Sequence, residues 1–106
     1  MDKQWSPSEK KAARQIFDLA VANAQKDILK RHSNKKISTV DGLWRYELEI
    51  REWSKEVQTV LQFTYSSLPL CFGLCLRKGW LNESNLTGLC DERIEQIKSI
   101  AAVRQK

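Results

Sequence analysis

Cys71 and Cys75 stand four residues apart, a spacing that sets both side chains on one face of a helix, where two thiols could hold a soft metal or act as a redox couple. A closed zinc site needs four ligands. The chain offers one further cysteine, Cys90, and one histidine, His32, so no tetrahedral set is complete within it. Buried cysteine commonly serves as a small hydrophobe, and the pair is read as core. His32 lies in a polar stretch with no carboxylate or nucleophile beside it in sequence, and is read as an exposed loop residue rather than a general base. The chain has no glycine-rich phosphate loop, nucleophile elbow or His-Glu metal motif. These features point away from an enzyme; no catalytic residue, metal or cofactor is expected.

Binding chemistry is better supplied. Tryptophan is favoured at the centre of protein interfaces, where it removes a large apolar area at low entropic cost. Of the four tryptophans, Trp80 reads as core and Trp53 as part of an apolar stripe. Trp44 stands one position off that stripe, free to serve a different partner. It is the leading interface candidate.

These residues need elements to position them. The stripe, Leu43, Tyr46, Ile50, Trp53, Val57 and Val60, alternates three- and four-residue steps between charged neighbours, predicting an amphipathic helix from Ser38 to about Leu68. A stripe at this period needs a second surface, so it is read as a dimer seam, with packing inside the same chain as the rival explanation. Ser38 with Asp41 offers a capping box at its start, and Pro69 sets its end near Ser66 to Leu68. The outer face carries Arg45, Glu47, Glu49, Arg51, Glu52, Lys55 and Glu56, with Arg45/Glu49 an opposite-sign pair and Arg51/Lys55 a like-sign one. An earlier helix starts at Ser6-Pro7-Ser8-Glu9, where Ser6 caps, Pro7 takes the first helical position and Glu9 closes a capping box. It runs to Lys30 or Arg31 with Ala13, Ile16, Phe17, Ala20, Ala24 and Ile28 on one face, and His32 to Lys36 follows as a loop. Trp5, just outside the cap, should fold back onto the domain. Pro69 to Lys78 is apolar nearly all round and reads as a buried central helix closed by Gly79, with Trp80 and Leu81 folding back. Asn82 caps a short turn ending at Gly88. Asp91 caps a last helix that turns Ile94, Ile97, Ala101 and Val103 inward, and the tail 104–106 should fray.

With 106 residues, 42% hydrophobic and 29% charged, and only four Gly and two Pro, the chain is expected to be a single all-α domain, residues 1–106, of long amphipathic helices with a small helical head. The run from Leu68 to Leu76 is far short of the roughly 18 apolar residues that span a bilayer. Residues 1–6 lack the features of a signal peptide, so a cytoplasmic location is expected. The net charge is +5, with nine Lys/Arg against four Asp/Glu in residues 1–36. Those basic residues are dispersed around a helix that also needs solvating, so a nucleic-acid partner is not favoured.

Taken in order, Trp5-Ser6, Phe17, Leu43-Trp44, Tyr65-Ser66-Ser67-Leu68, Phe72, Leu74, Gly79-Trp80-Leu81, Leu86-Thr87-Gly88-Leu89 and Ile97-Lys98 resemble the fluorescence recovery protein family of cyanobacteria, with no insertion or deletion needed from Trp44 onward. The resemblance implies an all-helical homodimer, capable of further association to a tetramer, that binds the photoactivated orange carotenoid protein through that protein's C-terminal domain. It implies acceleration of the red-to-orange return, which ends non-photochemical quenching at the phycobilisome, close to the thylakoid. The partner-facing positions it implies are Trp44, Glu47, Leu48, Arg51, Ser54 and Leu70. Trp44 matches the family; Glu47 and Leu48 replace a His-Asp pair, Ser54 an arginine, Leu70 an aromatic and Gln96 a lysine. A divergent member serving a different protein through the same helical dimer is the alternative. A charge-assisted contact removed at an interface commonly costs orders of magnitude in affinity.

Overall fold

The computed structural model describes residues 4–33 and 36–103. Over these the chain forms α1 (Pro7–His32), α2 (Val40–Val60), α3 (Leu68–Lys78), a 3-10 turn (Glu83–Leu86) and α4 (Asp91–Ala102), with no β-strand among the described residues. Asn34 and Lys35 of the expected loop, and the tail expected to fray, lie outside them.

Ser6 starts α1 as its residue type dictates, its hydroxyl accepting from the Glu9 amide at 3.2 Å with Pro7 in the first turn. Glu9 does not close the box. Its carboxylate leaves the helix to accept from the Cys90 amide and from Arg93 Nε, both at 3.0 Å, and so ties the start of α1 to the start of α4. Arg93 in turn lies 3.7 Å from the Trp5 ring centroid, which gives that tryptophan its partner. The small residues Ala13, Ala20 and Ala24, with Ile16 and Ile28, form the buried face of α1 and let the head approach closely.

Helix α2 is capped by Thr39, one residue later than expected, its hydroxyl accepting from the Gly42 amide at 3.0 Å. It ends at Val60, well before the expected Ser66 to Leu68. Leu61 leaves the helix at φ −91°, ψ 79°, and the segment beyond lays Phe63 edge-on against Phe17 at 5.1 Å and Tyr65 against Trp5 at 5.4 Å. Arg14 and Lys10 of α1 cover the Phe63 and Tyr65 rings. Aromatic docking on α1 outweighs helix propensity in a stretch that already holds the β-branched Thr59 and Val60.

The head follows the expected plan closely. Gly79 closes α3 at φ 80°, with Trp80 N donating to Cys75 O at 3.0 Å, and Trp80 and Leu81 turn into the core. Trp80 joins the head to α1: its indole donates to Asp27 Oδ2 at 3.2 Å and its carbonyl accepts from Asn23 Nδ2 at 2.7 Å. Helices α3 and α4 cross at Gly73, where a Cβ would stand 2.5 Å from Ile100 Cγ2. The cap of α4 is Cys90, not Asp91, which sits in the first turn; the Cys90 amide is spent on Glu9. Ile97 is buried and Ile94 packs on the core, but Val103, expected inward, lies past the end of α4 and is exposed.

The molecule measures 54 × 30 × 21 Å with a radius of gyration of 16.2 Å. A compact 106-residue domain would have about 13 Å. The elongation is carried by α1 and α2, which extend past the head.

Candidate functional site

A residue every 100° around α2 places Trp53, Val57 and Val60 on one line, and these pack on the chain's own core, with Val60 buried in it. That half of the expected seam is satisfied within the chain. Toward the N-terminus the same line continues as Ile50, half-buried, then Tyr46 and Leu43, where the head no longer reaches; Leu43 is 56% exposed. Beside it runs a second ridge at i, i+4 and i+8, Val40, Trp44 and Leu48. Trp44 is 67% exposed and Leu48 51%. Helix α2 is thus apolar on two adjacent faces, and only one end of one face is covered.

The two lines border a groove of about 940 Å³. Trp44, Glu47, Arg51 and Ser54 of the expected partner-facing set line it together with Leu43, Tyr46 and Ile50 of the expected seam. Leu48 lies along its Trp44 side. Leu70, 52% exposed, stands on α3 and is not among the lining residues. Within the groove the Arg51 guanidinium pairs with the Glu47 carboxylate one turn back, and Ser54 Oγ accepts from Gln58 Nε2 at 3.3 Å. Large apolar side chains with a polar rim suit protein recognition.

What aims this face outward was missed by sequence reasoning. His32, expected in an exposed loop, ends α1 with a side chain only 7% exposed. Its Nε2 lies 3.3 Å from Glu49 Oε2 and its ring stands edge-on to Tyr46 at 4.9 Å. Glu49 and Tyr46 thus meet the end of α1, which holds α2 with Trp44 and Leu48 exposed. Nothing local to His32 announces this, because both partners come from the next helix. A second bridge, Lys78 Nζ to Glu56 Oε1 at 2.9 Å, fixes the other half of α2 to α3.

Cys71 and Cys75 both lie in the core. The hydrogen bond with Cys71, then burial, pushes the Cys75 thiol far above its ordinary value, which suits packing rather than nucleophilic chemistry. Among the described residues no cluster of three or more His, Cys, Asp or Glu could hold a metal ion, and no helix is long and apolar enough to cross a membrane.

Solved structures of known proteins share this architecture. The fluorescence recovery protein of Synechocystis sp PCC 6803 superposes with a TM-score of 0.85 at 22% identity, and that of Fremyella diplosiphon with 0.80 at 23%; each alignment covers 94% of this chain and 100% of the other. A point mutant of the Synechocystis protein gives 0.78 at 21% identity, with the same coverage. No family model matches the chain, and no curated protein matches it in sequence. The chain has the all-helical fold of the fluorescence recovery proteins.

Proposed function

We propose that this chain, built on the fluorescence-recovery-protein fold, is a divergent member of that family: a non-enzymatic homodimeric regulator that binds photoactivated orange carotenoid protein and speeds its return from red to orange. The observation that carries the reading is Trp44, two-thirds exposed on the rim of an apolar groove, at the one partner-facing position where the sequence keeps the family's residue. A helper of this kind makes no covalent bond. It acts by binding the conformations along the return path better than the red state itself, so contact area and complementarity do the work that a catalytic group would do elsewhere. Detachment of the quencher from the phycobilisome follows from that shift.

The exposed Leu48 and Leu70 and the small Ser54 support a second reading, a helical dimer for another protein whose contact surface is more apolar. The two readings separate in a binding experiment with purified components. On size-exclusion chromatography, photoactivated orange carotenoid protein should co-elute with the wild-type chain and not with Trp44→Ala. A folded wild-type chain that elutes alone excludes the first reading and leaves the second.

A further inference from the structure

A second cavity, of about 660 Å³, opens in the head where the start of α1, the segment leading into α3 and the first turn of α4 meet. It shares no lining residue with the groove on α2. One wall is flat and apolar. Trp5 and Tyr65 stand there with ring centroids 5.4 Å apart at 48°, and Pro69 continues the wall. Rings at that angle do not cover one another face to face, and Tyr65 is 38% exposed, so aromatic surface is left open to the cavity. Trp5 is backed by the buried Arg93, whose guanidinium lies 3.7 Å from the ring centroid and is held by Glu9 at 3.0 Å. Because Glu9 neutralises Arg93, the charge preference is set at the rim. There Lys10 holds its ammonium 5.3 Å from the Tyr65 ring centroid, and among the described residues no carboxylate lies within ion-pair distance of it. An anion entering beside Tyr65 would meet that ammonium in a charge-assisted hydrogen bond. Glu92 is the one carboxylate among the described lining residues, and it disfavours a guest with several negative charges.

We propose that this cavity binds a small monoanion built on a flat aromatic ring, with the ring against the wall of Trp5, Tyr65 and Pro69 and a carboxylate at Lys10. Sites for small organic ligands run from roughly 300 to 1,000 Å³, so the cavity has room for a fused bicyclic ring. Gln4, Ser66 and Gln96 bring neutral donors and acceptors to the edge of that ring. The wall selects shape and Lys10 selects charge. The site stands apart from the regulatory reading, since no residue of the α2 groove takes part in it.

The test is a titration of the isotope-labelled full chain with 2-naphthoate, followed through amide and indole signals in nitrogen–proton correlation spectra. The expected result is saturable movement of the Trp5 indole and of the Lys10, Ser66 and Gln96 amides, while the Trp44 indole stays in place. 2-Naphthylmethanol keeps the ring without the charge and should bind about fivefold more weakly, the upper range for one exposed ion pair. Acetate keeps the charge without the ring and should move none of these signals. Lys10→Gln should lower the affinity for 2-naphthoate by the same factor, about fivefold, and Lys10→Arg should keep it. Lys10 is exposed, so both variants should retain the wild-type spectrum elsewhere. Movement confined to Trp44 and its α2 neighbours would overturn the proposal, as would a titration without saturation. Equal binding of 2-naphthylmethanol, equal affinity in Lys10→Gln, or the same movements with acetate would overturn it as well.

Discussion

Trp44 and Glu9 are opposite cases of what one side chain does. Trp44 packs on little of its own chain, so Trp44→Ala should leave the melting temperature nearly unchanged while costing about 2 kcal/mol or more in partner affinity, roughly thirtyfold. An unchanged affinity by titration calorimetry would remove it from the site. Glu9 is buried and acts on stability. Burial alone would raise its carboxyl, but hydrogen bonds from Arg93 and the Cys90 amide, with the guanidinium charge, outweigh that and hold it at about 2. A lowered carboxylate contributes stability that is present above its unfolded value, 4.5, and lost as the pH falls toward 2. Glu9→Gln should therefore cost about 3 kcal/mol at pH 7 by taking from the buried Arg93 the carboxylate charge that its Nε faces. In denaturant melts the gap from wild type should narrow below pH 4.5; a gap constant down to pH 2.5 would refute the assignment. The exposure of Trp44 was legible in the sequence because it stands off the apolar stripe of its own helix. The Glu9 role was not, since its partner lies 84 residues away and the local pattern Ser6 to Glu9 already offers a capping box as an explanation.

At the level of elements, the start of α1 and the close of α3 at Gly79 were readable because caps are local chemistry. The end of α2 and the place of His32 were not, because each is decided by a surface the sequence brings up from far away: Phe17 and Trp5 for Phe63 and Tyr65, Glu49 and Tyr46 for His32. The crossing of α3 and α4 offers a sharper test, since two effects oppose there. Gly73→Ala would gain about 1 kcal/mol of helix propensity. The new methyl would meet Ile100 at Cγ2 and at Cβ, 2.5 and 2.8 Å away, and a branched side chain cannot yield at Cβ without backbone movement. Overpacking of this kind costs about 1–3 kcal/mol, so the clash should win or at least cancel the gain. Net stabilisation of Gly73→Ala in urea melts would show that the helices are not in such close contact. Gly73→Ala/Ile100→Ala should lose the clash and keep the propensity.

For the whole molecule, the radius of gyration, about 3 Å above that of a compact chain of this length, and the half-covered α2 describe a chain that stops short of burying its own apolar surface. Expected outcomes follow at this scale. In the proposed dimer Ile50→Glu places a charge on the seam and should give a helical monomer by light scattering, and an unchanged dimer mass would rule out this face as the seam. The fold was legible almost throughout, whereas the division of the α2 stripe between the chain's own core and an outside surface was not, because Trp53 and Tyr46 follow the same period and only the reach of the head separates them. The measurement that bears most directly on function is the dark decay of photoactivated orange carotenoid protein, followed by visible absorbance with increasing amounts of the chain and of Trp44→Ala. Acceleration that rises with concentration and vanishes in the variant is the predicted result; an unaltered decay in the presence of folded, dimeric chain would contradict the proposed regulation.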